Sequence, residues 1–222
     1  MILCLANVLD TETRERIMGL LAASSYESGA KTAGWHARIV KQNLQAAPDS
    51  NTREAANLLV EALKRHTVFR AAVMPRVIRP PLFSRYSESM EYGSHVDDPL
   101  MGGNAPVRTD VSMTVFLCDP DSYDGGELVM ESTAGEQAYK LEAGAAIVYP
   151  STTLHRVTPV TRGQREVAVT WIQSMVRSPE RREILFDIDT ARRTLFAREG
   201  KSREFDLLSK SHANLMRLWV EV

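Results

Sequence analysis

The 222-residue chain balances 27 Lys and Arg against 28 Asp and Glu, a formal net charge of -1, so no whole-molecule field draws it to nucleic acid or to an anionic membrane. Its length suits one domain with a sizeable core. Its two cysteines, Cys4 and Cys118, lie in apolar runs without paired or C-x-x-C spacing, which argues against a disulfide framework or a thiolate zinc site.

The N-terminal run Met1–Ala6 is apolar but short and has no basic segment before it, so it reads as neither a signal peptide nor a membrane span, and a cytoplasmic protein is expected. Ile2–Leu9 reads as a short strand. Asp10 or Thr11 then caps a helix over Thr13–Ala23 with Ile17, Leu20 and Leu21 on one face. Ser24–Asn43 is mixed and broken at Gly29 and Gly34. Within it Trp35–Val40 is patterned like a strand, with His36 as a packing or surface residue. After turn residues at Ala46–Asn51, Thr52–Phe69 predicts an amphipathic helix through Ala55, Leu58, Leu59, Ala62, Leu63 and His66. A cation at His66, near its end, would suit the helix dipole.

Pro75, Pro80 and Pro81 mark a change to short β-like runs: Leu82–Tyr86, Tyr92–Asp97, Val111–Cys118, Glu127–Glu131, Ala138–Leu141, Ala145–Tyr149, Leu154–Val160 and Arg165–Met175. Turn chemistry separates them, notably Asp124-Gly125-Gly126 and Arg162-Gly163. Short strands at this spacing predict a sandwich or jelly roll. Pro99–Val107, glycine-containing and just past His95 and Asp97, predicts either a mobile loop over the site or, equally, an ordinary surface connection. Ser178-Pro179-Glu180 starts the first of two helices, about Glu180–Arg198 and Ser202–Val220, split at Gly200 and expected to cover the sheet or, less simply, to pair with a second copy. The expected class is α+β with a mainly β core: residues 1–76 in support, 77–176 as the core and 177–222 as a helical extension, in one structural unit.

Chemistry concentrates in the core. Residues two apart in a strand share a side, so His95 and Asp97 can face one metal with Val96 packed behind. His155 is the candidate third ligand. Two histidines and a carboxylate leave coordination positions open, the facial arrangement of non-haem Fe(II) sites, whereas a closed zinc site would need a fourth ligand. Arg165, ten positions past His155, offers a forked, permanently charged anchor for a carboxylate. Ser112 and Thr114 share a strand face and are candidates to line the site.

Phe83–Tyr86, Tyr92–Asp97, Arg108–Ser112, Ser122–Leu128, Tyr149–Ser151, Leu154–Gly163, Trp171–Met175 and Leu185–Asp187 together resemble the iron(II)- and 2-oxoglutarate-dependent dioxygenases, and within them the bacterial PKHD-type hydroxylases associated with iron uptake. The resemblance implies a double-stranded β-helix, His95, Asp97 and His155 as Fe(II) ligands, and Arg165 on the distal carboxylate of 2-oxoglutarate. It also implies Tyr86 as a further cosubstrate contact, O2 as oxidant and L-ascorbate (vitamin C) as reductant. The implied reaction hydroxylates a peptidyl, prolyl or siderophore-related substrate, with succinate and CO2 as co-products. Two other readings stay open on the residues alone. Zn2+ or Mn2+ on the same triad would activate water for a hydrolase or isomerase, and a non-catalytic sensor of iron or 2-oxoglutarate would need the site but no turnover.

Overall fold

The computed structural model describes residues 1–221; Val222, the last residue of the expected C-terminal extension, lies outside the described residues. Two antiparallel sheets form the centre. An eight-stranded sheet runs in the order Leu3–Leu5, Ala146–Pro150, Val111–Phe116, Arg165–Ser174, Leu82–Tyr86, Leu44–Ala46 and Tyr26–Ser28, with Pro75–Ile78 also paired to Arg165–Ser174. A five-stranded sheet runs Gly135–Tyr139, Leu128–Ser132, His155–Val157, Glu91–His95 and Lys41–Gln42. The α+β class with a mainly β core is what the patterning predicts.

Alternation along the central strands sorts side chains into two layers. Val111, Met113, Val115, Ala146, Val148 and Ala168 point to one side of the large sheet, where they pack with Ile17, Leu21, Leu59, Leu63 and Phe69 of the N-terminal helices. Phe116, Ile147, Tyr149 and Val167 point to the other side and pack with Leu128, Met130 and Val157 of the small sheet. The same inward face carries Ser84, Ser112, Thr114 and Arg165, which instead line a cleft between the sheets. One strand face thus supplies both a core and a site.

The helices differ from expectation in two places. Where Thr52–Phe69 predicts one helix, the structure has Ser50–Arg65 and Thr67–Val73 with His66 between them in an extended conformation. His66 Nδ1 accepts from Phe69 N at 3.1 Å, and Nε2 lies 3.1 Å from Ala6 O. The imidazole therefore caps the start of a second helix instead of closing the first. Cover for the large sheet comes from the N-terminal helices, and the C-terminal pair, Pro179–Glu199 and Arg203–Trp219, joins mainly through a small cluster of Met74, Val176 and Leu185. Charges distributed around Pro179–Glu199 leave it too narrow an apolar stripe to lie on a sheet.

Trp35–Val40 is not a strand. It lies in a segment of short 3-10 turns, Gly29–Thr32 and Ala37–Ile39, that leaves Trp35 and Ile39 exposed. Pro99–Val107 contains a hairpin, Leu100–Met101 against Val107–Arg108. Thr109 anchors it, donating from N to Pro99 O at 3.0 Å and from Oγ1 to Asp98 O at 2.5 Å. Among the described residues no helix is long and apolar enough to cross a membrane.

Candidate metal and carboxylate site

His95 ends the strand Glu91–His95 and His155 begins the strand His155–Val157, and the two are direct cross-strand partners. Asp97 lies two residues past the strand end, and Val96 between them is exposed instead of packed behind. The carboxylate is aimed from a turn, so something besides strand alternation must hold it. Ser112 does so: its Oγ donates to Asp97 Oδ2 at 2.5 Å and lies 2.8 Å from Ser151 Oγ. The ligand atoms of His95, Asp97 and His155 all lie within 4.8 Å of one another.

Both imidazoles are set for metal binding by their backbones. His95 Nδ1 is 2.8 Å from Gly93 O and His155 Nδ1 is 2.9 Å from Thr153 O. A carbonyl can only accept, so each Nδ1 carries the proton and each Nε2 keeps its lone pair for a metal. Burial, then the neighbouring His155, pulls the His95 imidazole down to about 4. Tyr92 stacks on the His95 ring at 3.6 Å between centroids, and Tyr149 meets His155 edge-on at 5.1 Å. These rings limit the tilt of both ligands.

Arg165 opens the strand Arg165–Ser174 and is only 1% exposed. Its Nε and Nη1 have no hydrogen-bond partner among the described residues. The guanidinium carbon lies 4.9 Å from the Tyr86 ring centre and 5.8 Å from that of Phe116. Its stem passes Gly126, whose φ is +66° and where a Cβ would stand 2.9 Å from Arg165 Cδ. That glycine of the Asp-Gly-Gly turn is required by close approach as well as by its turn. A buried guanidinium with two nitrogens unpartnered among the described residues is costly, on the order of several kcal/mol, and a ligand carboxylate would satisfy them.

The three triad residues, Arg165, Tyr86 and Ser112 all line one open cleft. Ser112 serves Asp97 directly, so its hydroxyl is committed there. The donor set of two neutral imidazoles and one carboxylate fits a divalent iron with open positions, and the unpaired guanidinium fits an anion beside it.

Another wall of the cleft has no signal in the motif pattern. Lys41, Asn43 and Gln45 alternate along an extended run and all face inward. Lys41 Nζ donates to Thr32 Oγ1 at 3.1 Å and lies 5.1 Å from the Tyr92 ring centre, and burial lowers its ammonium to about 8. Polar residues at alternate positions read as a solvated strand face; only the fold reveals that this face is covered. The segment leading into the run lies against the metal side: a Cβ at Gly34 would stand 3.0 Å from the Asp98 carboxylate, and one at Gly93 would stand 2.8 Å from Val40 Cβ.

A family model described as the 2OG-Fe(II) oxygenase superfamily matches residues 81–173. The chain is 50% identical to a PKHD-type hydroxylase of Synechococcus sp. (strain JA-2-3B'a(2-13)), covering 100% of both chains, and 52% identical to one of Rippkaea orientalis (strain PCC 8801 / RF-1), covering 99% of each. Among solved structures it is similar to a Pseudomonas putida prolyl-4-hydroxylase, with TM-score 0.55 and 18% identity over 78% of this chain and 92% of that one. A Trichoplax adhaerens prolyl hydroxylase, solved with a peptide fragment of the hypoxia inducible factor oxygen degradation domain, gives TM-score 0.57 at 13% identity over 83% and 86%. At those identities the structural likeness is one of fold.

Proposed function

The chain belongs to the 2OG-Fe(II) oxygenase superfamily and, within it, to the PKHD-type hydroxylases, and from that membership as a 2-oxoglutarate-dependent hydroxylase we propose its site: His95, Asp97 and His155 hold Fe(II), and Arg165 binds the distal carboxylate of 2-oxoglutarate. The reaction proposed is hydroxylation of a substrate C–H bond by O2, with 2-oxoglutarate converted to succinate and CO2. Tyr86 is a second cosubstrate contact. The two facing sheets are read as a double-stranded β-helix, with residues 1–76 supporting the core at 77–176 and 177–222 extending it.

The observation that carries this reading is Arg165, buried with two unpaired nitrogens in the same cleft as the triad. Iron bound at the triad supplies the electron-transfer chemistry with O2 that no side chain can. The protein's own part is positional. The Gly93 and Thr153 carbonyls fix the imidazole tautomers, Ser112 aims the Asp97 carboxylate, and Arg165 holds the far end of the cosubstrate so that its other end is directed to the metal. Metal-activated water on the same triad would leave the buried Arg165 without a role, and that reading is not favoured.

The substrate class proposed is a peptidyl or prolyl group, or a siderophore-related small molecule, with L-ascorbate as reductant and the cytoplasm as compartment. The C-terminal helices expose Phe196, Leu207 and Leu218, a surface suited to pairing with a second copy. Incubating candidates of both classes with Fe(II), 2-oxoglutarate and labelled O2, followed by mass spectrometry, tests the substrate assignment. One labelled oxygen atom gained by a candidate supports it; succinate formation with no labelled product from either class overturns it.

A further inference from the structure

Asn43 is 4% exposed and lines the cleft, yet neither its Nδ2 nor its Oδ1 has a hydrogen-bond partner among the described residues. Buried amides are nearly always satisfied, so an orphaned one facing a cavity calls for a ligand. Its place in the sheet says which. Leu44 pairs with Arg85, and Arg165 pairs with Tyr86. One residue before the strand Leu44–Ala46, Asn43 comes beside Tyr86, so Asn43, Tyr86 and Arg165 stand in line across the inward face. The Asn43 amide is near the Tyr86 phenol. At the other end of that row are the unpaired Nε and Nη1 of Arg165.

Apart from its approach to the Tyr86 phenol, the Asn43 side chain makes no hydrogen bond among the described residues. Its backbone carbonyl accepts from Gly29 N at 2.8 Å, a bond any residue could make. The side chain, however, lies where a Cβ on residue 29 would stand 1.9 Å from Asn43 Oδ1 and 2.9 Å from its Cγ. Glycine at 29 is what lets the amide lie across the row.

We infer that Asn43 is a cosubstrate-binding residue, one Nδ2–H donating to the 2-oxoglutarate carboxylate held by Arg165 and the other to the Tyr86 hydroxyl oxygen, which leaves the phenol proton for the same carboxylate. This rests on the reading of Arg165 proposed above. The orphaned donors of the row, Asn43 Nδ2 and Arg165 Nε and Nη1, then converge on one anion. A further consequence follows for the segment from Gly29 to Asn43, which also lies on the metal side through Gly34 and Val40. Cosubstrate bound at Asn43 fastens that segment down over the site.

The test is calorimetric binding of 2-oxoglutarate to Mn(II)-loaded protein without O2. Loss of a hydrogen bond to a charged group corresponds to roughly ten- to hundredfold in affinity. Asn43→Ala is expected to bind 2-oxoglutarate that much more weakly, and Gly29→Ala to do the same by displacing the amide. Asn43→Asp, close in shape, should bind still more weakly because two carboxylates would then meet. Mn(II) affinity without 2-oxoglutarate should stay within about twofold of wild type in all three, as should 2-oxoglutarate affinity in the outward-facing Gln42→Ala. Wild-type 2-oxoglutarate affinity in Asn43→Ala or in Asn43→Asp overturns the inference, as does a lowered apo melting temperature with unchanged cosubstrate affinity, the mark of a packing role. If Arg165→Ala binds 2-oxoglutarate as wild type does, it is the Arg165 reading that fails.

Discussion

The direction of the Asp97 carboxylate depends on one hydroxyl, because Asp97 lies beyond the end of its strand and Ser112 Oγ is what reaches its Oδ2. Removing a hydrogen bond behind a metal ligand lowers metal affinity about 10- to 100-fold. Ser112→Ala is therefore expected to weaken Fe(II) or Mn(II) binding by about that factor while its melting temperature without metal changes little, both measurable by titration and thermal melts. Lys41 provides a pH signature. Burial holds its ammonium at about 8 in the folded chain against 10.5 as an ordinary lysine, with Asp97 opposing the shift. Between those values the unfolded chain binds more protons, so this residue's contribution to stability rises with pH through that window, and its full penalty applies below pH 8. Lys41→Met should accordingly exceed wild type in melting temperature by more at pH 7 than at pH 10; an equal difference at both would contradict the burial of that charge. Legibility divides along the same line. His95, Asp97, His155 and Arg165 stand out in the sequence because their types and order are unusual together. Lys41 and Asn43 do not, since polar residues at alternate positions look the same whether they face water or a cleft.

Among the elements, the central strands were the most legible, because Leu82–Tyr86, Val111–Phe116 and Arg165–Ser174 alternate or run apolar between clear turns. The helix starts at Asp10, Ser178 and Ser202 were legible too, each side chain accepting from a backbone N–H three residues on. The short strands Tyr26–Ser28, Lys41–Gln42 and Leu44–Ala46 were not, as two or three residues carry too little periodicity to register. Nor did periodicity show where the C-terminal helices attach. Arg182 makes that joint: buried, its Nη1 donates to the Val176 and Arg177 carbonyls at 2.8 Å each, and its Nη2 to Asp110 O at 3.4 Å. Asp110 in turn receives two bonds, at 2.7 and 3.1 Å, from Arg108, which ends the hairpin of Leu100–Met101 against Val107–Arg108. Arg182→Ala strands these carbonyls and should cost about 2–3 kcal/mol in urea unfolding. A loss under about 0.5 kcal/mol, the range of ordinary surface changes, would show that the helices are held elsewhere.

At the scale of the whole molecule, a near-neutral chain lines one cleft with its metal donors and with the unsatisfied polar atoms of Asn43 and Arg165. A two-ended cosubstrate requires both, a metal for its chelating end and a buried cation for its anionic end. Strand spacing and turn residues made the sheets legible. The pairing of the cleft's ends was legible only as His155 and Arg165 in sequence, and the covering segment from Gly29 onward not at all, because its glycines are there for close approach to Asn43 and Asp98 and look like simple breaks. The site proposed for this cleft must turn over 2-oxoglutarate at the triad. The direct measurement is succinate formed aerobically from 2-oxoglutarate with Fe(II), comparing wild type with a folded His95→Ala variant. Succinate from wild type at a rate well above the variant is the predicted result; equal rates from the two, or none from either when metal and cosubstrate are shown to bind, would contradict it.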